Sequence, residues 1–191
     1  MHFPYQTEKE INGWFFGQEG KIYNSLAKIF NNKNIIEIGS YQGLSLSYIE
    51  NTNNVIYAVE PHIAHFKILQ DNIKNFKNKR IKLINSNSEE ASKNFPDNFF
   101  SMVFIDANHK FESVKNDILI WTKKLKKNSI LAGHDYDDFW VGVKGAVDQI
   151  IKKENITLSH RVWWTFWDGE KYCKFNEQIK NKFFSKEIKL I

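Results

Sequence analysis

The sequence predicts a doubly wound α/β domain, a mostly parallel sheet with helices on both faces and an antiparallel C-terminal hairpin. Three observations carry that expectation. Five short apolar runs, at 35–38, 55–59, 81–84, 102–105 and 129–132, read as fully buried strands. Helical patterns separate them at 44–50, 64–76, 88–94 and 111–125, and strand–helix alternation makes the strands parallel. Finally, residues 162–167 and 170–175 flank Asp168-Gly169, a pair suited to a type I′ turn.

Taken in order, residues 13–30 should form helices packing on the first strand, within an N-terminal segment, 1–33, that could serve as a substrate lid. The 111–125 helix is the clearest element. Phe111, Val114, Ile118, Trp121 and Leu125 step by three and four into one apolar stripe, with lysines opposite. Another helix is expected over 142–153. With 191 residues and no repeat or low-complexity linker, the whole of 1–191 reads as a single domain.

Composition narrows the function. Hydrophobic residues make up 42% and aromatic residues 15%, too many for a disordered chain. No apolar run approaches the roughly 18–20 residues that cross a bilayer. Met1-His2-Phe3-Pro4-Tyr5 shows no basic region followed by an apolar stretch, so a cytoplasmic location is expected and no membrane partner. The one cysteine, Cys173, excludes an internal disulfide and a cysteine-based zinc site and reads as a strand residue without a chemical role. The net charge of +5 comes from lysines such as Lys126-Lys127 and Lys152-Lys153, scattered over helix ends and loops as solvated surface.

The first strand runs into Glu37-Ile38-Gly39-Ser40-Tyr41-Gln42-Gly43 before a helix begins at Leu44. Gly39 permits a tight turn, Gly43 a close backbone approach, and the free N–H groups at the helix start suit an anion. The run matches neither G-x-G-x-x-G nor a P-loop. Two acids sharpen it. Glu37 needs a partner inside an apolar strand end. Glu60 ends the second strand, where a carboxylate can accept both ribose hydroxyls of a nucleoside.

The run from Glu37 to Gly43 resembles motif I of class I S-adenosylmethionine-dependent methyltransferases. It is similar in particular to a branch of cephalosporin-hydroxylase-like and macrocin O-methyltransferase-like proteins, from about residue 13 to 167. The resemblance implies a Rossmann-like, seven-stranded sheet of order 3-2-1-4-5-7-6, with S-adenosyl-L-methionine as cosubstrate. Glu37, Gly39, Ser40, Tyr41 and Gly43 would form the cofactor turn, Glu60 would hold the ribose, and Asn87 and Ser88 would sit beside adenine. Tyr41 stands where the commoner pattern has its middle glycine.

The fourth strand delivers Asp106-Ala107-Asn108-His109 and the fifth His134-Asp135-Tyr136, both at the carboxyl ends where open α/β sheets bind ligands. In the order 3-2-1-4-5, Asp106 stands beside the sulfonium end of the cofactor, with His134 and Asp135 about 5 Å along the sheet. These clusters resemble the Asp-x-x-His and Gly-His-Asp-Tyr signatures of the same branch. Some relatives hold a divalent cation there, which implicates Asp106, His134 and Asp135. Two carboxylates and an imidazole suit Mg²⁺ less well than Mn²⁺ or Fe²⁺. His109 or His134 could be the base that takes a proton from the acceptor, next to Asp106. Tyr136, Asp137, Trp140 and the Trp163-Trp164 pair are candidates for the acceptor wall, while His62, His65 and His160 read as surface or structural.

A small-molecule acceptor with a hydroxyl, a sugar or secondary metabolite, is the expected partner, and self-association is left open. An RNA methyltransferase is the alternative, but Asp-Ala-Asn-His replaces the Asp/Asn-Pro-Pro-Tyr/Phe of base N-methylating enzymes. A non-catalytic nucleotide-binding domain or an NAD-dependent oxidoreductase leaves the paired Asp106 and His134-Asp135 clusters unexplained.

Overall fold

A computed structural model describes residues 11–184. The first ten residues of the expected N-terminal segment and the last C-terminal lysines lie outside them. Alternation is regular up to β5: α1 (Gly17–Lys28), β1 (Asn34–Ile38), α2 (Leu44–Ile49), β2 (Val55–Val59), α3 (Ile63–Ile73), β3 (Ile81–Ile84), α4 (Ser88–Lys93), β4 (Phe100–Ile105), α5 (Phe111–Thr122) and β5 (Leu125–Gly133). After it come α6 (Val141–Ile151), β6 (Thr157–Ser159), β7 (Val162–Trp167), β8 (Tyr172–Cys173) and α7 (Glu177–Phe183).

The sheet runs β3-β2-β1-β4-β5-β7-β6, parallel through β5 and antiparallel across β5, β7 and β6. This is the expected Rossmann-like order. Alternating side chains split the core in two. Ile35, Met102, Phe104 and Ile130 pack under α1 and α2, while Ile36, Val103 and Leu131 pack under α5 and α6. The two-residue period also puts Glu37 on the face of Ile35, toward α1 and α2.

The C-terminal hairpin differs from the expectation. The partner that shares β7's outer edge along Val162–Trp164 is β6, reached through a turn in which His160 adopts φ 53°. Asp168-Gly169 leads only to the two-residue β8, on Phe166 and Trp167. The β6 turn lacks a glycine, so nothing in the sequence announced it. The 111–125 helix also ends early. Leu125 continues the helical spacing, yet it opens β5 and pairs with Phe100, so the stripe was satisfied by a strand contact.

Candidate active site

β1 adjoins both β2 and β4, and its C-terminal end is the switch point where open α/β sheets leave a crevice. Gly39 makes the turn there with φ 90°. A Cβ on it would fall 2.1 Å from the Asp106 carbonyl oxygen, so only glycine lets the first loop lie against the end of β4. The Asp106 N–H donates to the Ile38 carbonyl at 2.8 Å, and the His134 N–H to that of Ile105 at 3.1 Å. These bonds line up the three strand ends.

Tyr41, at φ 46°, takes the left-handed conformation that a glycine would otherwise supply. That costs on the order of 1–2 kcal/mol. Its N–H donates to Glu60 Oε2 at 2.9 Å, and its ring lies against Trp14 and His65, with centroids 5.4 and 4.2 Å away. These contacts hold the left-handed backbone at Tyr41 without a glycine.

Two cavities meet at this turn, sharing Gly39, Tyr41, Asp106 and Ala107. The first encloses about 700 Å³ and continues past His109, Asp137 and Trp140 to Arg161. The second, about 570 Å³, runs past Glu60, Asn87 and Ser88 toward α5. Glu60 accepts one N–H on each oxygen, from Tyr41 and from His62 at 2.8 Å, leaving lone pairs for vicinal hydroxyls. Ser40 lines the first cavity, and its Oγ is buried without a hydrogen-bond partner among the described residues. A half-used carboxylate at this turn suits a polar nucleoside ligand that supplies the missing donors. Asn87 caps α4 through Glu90 N–H at 2.9 Å, so its side-chain oxygen is already engaged.

Glu37 lies entirely inside the protein. Ser45 donates to its Oε1 at 2.8 Å, while Oε2 has no aligned partner. Burial raises its pKa to about 7, with the nearby Asp106 charge adding to the shift and the Ser45 bond opposing it. It braces the turn from behind and lines neither cavity.

The charged cluster at the ends of β4 and β5 is tighter than the sequence suggests. His134 Nδ1 stands 3.3 Å from Asp135 Oδ1 and 3.6 Å from Asp106 Oδ1, with its ring sealed from solvent. On its other side Nε2 is 3.1 Å from Glu19 Oε2, a charge contact without hydrogen-bond alignment. Asp135, in the left-handed region at φ 59°, turns back so that His109 Nε2 sits 2.9 Å from its Oδ2. Arg161 Nη1 donates to Asp135 Oδ1 at 2.9 Å. Its Nε and Nη2 donate to Glu19 Oε1 and Oε2 at 2.8 and 3.2 Å.

Glu19 and Arg161 carry no motif, and sequence reasoning missed both. Glu19 had one signal, a carboxylate in the 19, 22, 23, 26 stripe of α1 whose other members are apolar and buried. Arg161 precedes β7. Because β7 is antiparallel to β5, its start lies at β5's functional end, and Tyr136 N–H donates to the Arg161 carbonyl at 3.0 Å. His62 and His65, read as surface or structural, line the second cavity. The candidates for the acceptor wall divide. Asp137 and Trp140 line the first cavity, whereas Tyr136 is buried with its hydroxyl on Asp148 at 2.6 Å, and Trp163 and Trp164 belong to the core.

Electrostatics follow from this crowding. Burial disfavours a charged His134, but the carboxylates of Asp106, Asp135 and Glu19 outweigh it and hold the imidazole well above its ordinary range. Burial likewise pushes Asp135 and Glu19 up. The imidazoles of His109 and His134 overcome it at Asp135, and His134, Arg161 and the Phe16 N–H overcome it at Glu19, so both titrate below the usual carboxylate range. As for a divalent cation, Asp106, His134 and Asp135 each offer a ligand atom, all within 4.8 Å of one another. The donor types suit a cation, but His134 would have to give up its proton to ligate one, and the two Asp135 oxygens already face Arg161 and His109.

The family described as "methyltransferase domain" matches residues 36–136, from β1 to just past Asp135. No curated protein sequence matches the chain significantly. Among solved structures, the chain is similar to an O-methyltransferase from Bacillus cereus in complex with SAH, at TM-score 0.64 and 17% identity over 78% of this chain and 80% of that one. It is also similar to a precorrin-6y C5,15-methyltransferase from Geobacter metallireducens GS-15, with TM-score 0.66, 13% identity and coverage of 85% and 94%. A tRNA (m1A58) methyltransferase from Aquifex aeolicus gives TM-score 0.61, 15% identity and coverage of 85% and 70%. At these identities the likeness is one of fold, and the same fold serves three different acceptors.

Proposed function

The chain belongs to the methyltransferase-domain family, with a class I fold, and from that premise we propose that it moves a methyl group from S-adenosylmethionine to a hydroxyl oxygen of a small molecule. The observation that carries this reading is the adjacency of the Gly39 turn and the Asp106, His134, Asp135 cluster on the wall of one cavity. A sulfonium already activates its methyl group, so the protein's work is alignment and proton removal. The second cavity takes the nucleoside, with Glu60 on the ribose, and the sulfonium lies near Asp106, where a carboxylate favours positive charge. The acceptor enters the first cavity against Trp140.

His109 is the base in this reading. His134 is sealed and held charged, so it has no lone pair to offer and serves to anchor the two aspartates. His109 reaches the cavity with its Nε2 on Asp135, an arrangement that orients the ring and steadies the cation it becomes. The acceptor O–H gives its proton to His109 as the oxygen–carbon bond forms and the sulfur–carbon bond breaks, leaving S-adenosylhomocysteine and a methyl ether.

A second reading has its own support in the converging donors: Asp106, His134 and Asp135 would hold a divalent cation. When bound, such an ion lowers the pKa of a hydroxyl and orients it.

Calorimetric titration with S-adenosylhomocysteine tests the core of the proposal. Binding is expected, and Glu60→Ala should weaken it at least about tenfold, the loss of one charged hydrogen-bonding group. Failure of the folded protein to bind would overturn the enzyme reading. Screening hydroxylated sugars and planar phenols with labelled cofactor then identifies the acceptor.

A further inference from the structure

One buried acid in the second cavity has no place in the reaction above. Asp117, on α5, is 5% exposed. Helical spacing explains its position. Val114, Ile118 and Trp121 form the face that packs on the sheet, and Ser113, Asn116 and Asp117 fall on the neighbouring face that lines the cavity. A Ser88 hydroxyl donates to Asp117 Oδ1, and the Trp121 indole N–H donates to the same hydroxyl at 2.8 Å. Asp117 Oδ2 accepts no hydrogen bond from the described residues, and it is not sealed off, so it opens on the cavity.

A carboxylate buried with a single hydroxyl donor costs several kcal/mol unless a further donor arrives. Burial raises its pKa to about 6 against the pull of Ser88, the mark of an acid short of partners. Lysine and arginine are absent from the lining of this cavity, so no protein cation is paired with Asp117, and Oδ2 is open to a donor on whatever ligand fills the cavity.

Position says which donor. Resting on the cofactor reading above, Glu60 holds the ribose and the sulfonium points past Gly39 into the first cavity. The base then fills the rest of the second cavity, where Ser88 and Asp117 form the inner corner. The geometry points to Asp117 as the group that reads the exocyclic amine of the purine, taking one N6 hydrogen on Oδ2. The Ser88 hydroxyl hydrogen is committed to Asp117, so the Asp117 and Ser88 side chains present acceptors here. Adenine, with an amine at that position, satisfies them. Hypoxanthine, with a carbonyl there, sets oxygen against oxygen.

The test is a ratio of affinities. Wild-type protein is titrated with S-adenosylhomocysteine and with its deaminated counterpart, S-inosylhomocysteine. A preference for adenine of roughly 10–150-fold is expected, the range for a hydrogen bond to a charged group. Asp117→Asn should bring that ratio close to one, because an amide can turn its NH₂ toward the carbonyl. An acid that only anchors Ser88 and Trp121 would lower the melting temperature or both affinities together and leave the ratio intact, which would overturn the assignment. Equal binding of the two ligands by wild-type protein would overturn it without any variant. If the folded wild type binds neither ligand, the cofactor reading itself fails and this inference with it.

Discussion

His109 Nε2 stands 2.9 Å from Asp135 Oδ2, and its ring stacks on Trp140 with centroids 3.8 Å apart. A carboxylate on one nitrogen and an indole beside one face hold the imidazole in place on the cavity wall. His109→Gln should therefore lower kcat roughly 10²–10⁴-fold, the usual contribution of a placed base. Affinity for S-adenosylhomocysteine should barely change, since His109 lies outside the second cavity. A parallel loss of both would show that the residue supports the fold of the site and not the proton transfer.

The Arg161–Glu19 pair makes a stability prediction. Glu19 is 2% exposed and holds two guanidinium nitrogens. Arg161→Met leaves the Glu19 carboxylate with only the Phe16 N–H and the His134 imidazole, so the loss should approach, without reaching, the roughly 3–5 kcal/mol of a buried charge left with no partner. Adding Glu19→Gln should return part of that loss. Urea unfolding of the four proteins in a double-mutant cycle measures it, and simple additivity would mean that the pair is not coupled.

Glu37 sets a pH dependence. Its carboxyl titrates near 4.5 when exposed and at about 7 in the folded protein. The folded chain thus holds a proton that the unfolded chain has released between those values. Its stabilising effect is complete below about pH 4.5 and is lost as the pH rises through about 7, by ~3 kcal/mol in all. Glu37→Gln removes this contribution. The stability difference between variant and wild type should move in the variant's favour from pH 5 to pH 8. A difference that stays level across that range would place the carboxyl at its ordinary pKa.

Removal of metal separates the two readings of the cluster. In the first, Arg161 and a charged His134 already balance Asp106 and Asp135, so chelator-treated protein should turn over at the untreated rate. A loss restored by Mn²⁺ and not by Mg²⁺ would establish the second reading, in keeping with an imidazole among the ligands.

Strand-end chemistry was legible in the sequence because it is local. Gly39, Glu60, Asp106 and His134 each follow an apolar run whose length and flanks mark a buried parallel strand, and the topology then brings the strand ends together. What escaped notice depends on partners distant in sequence. Glu19 looks like any helical carboxylate until the helix is docked, and Asp117 like a surface residue of α5 until α4 brings Ser88 to it. The β6 turn was hidden because His160 takes a backbone conformation that the sequence usually flags with glycine or asparagine. Tyr41 is a second such case. There the residue type gives no hint of a left-handed backbone, yet Glu60 and two aromatic neighbours hold it in place.

Glu19 and Arg161 are separated by 142 positions, yet their contact closes the charged cluster. A ribosome releases the first long before it makes the second, so no chain that stops short of Arg161 has the finished charged cluster. A chain cut anywhere between the two residues lacks the guanidinium that Glu19 and Asp135 share, so the cluster could not assemble as it stands here.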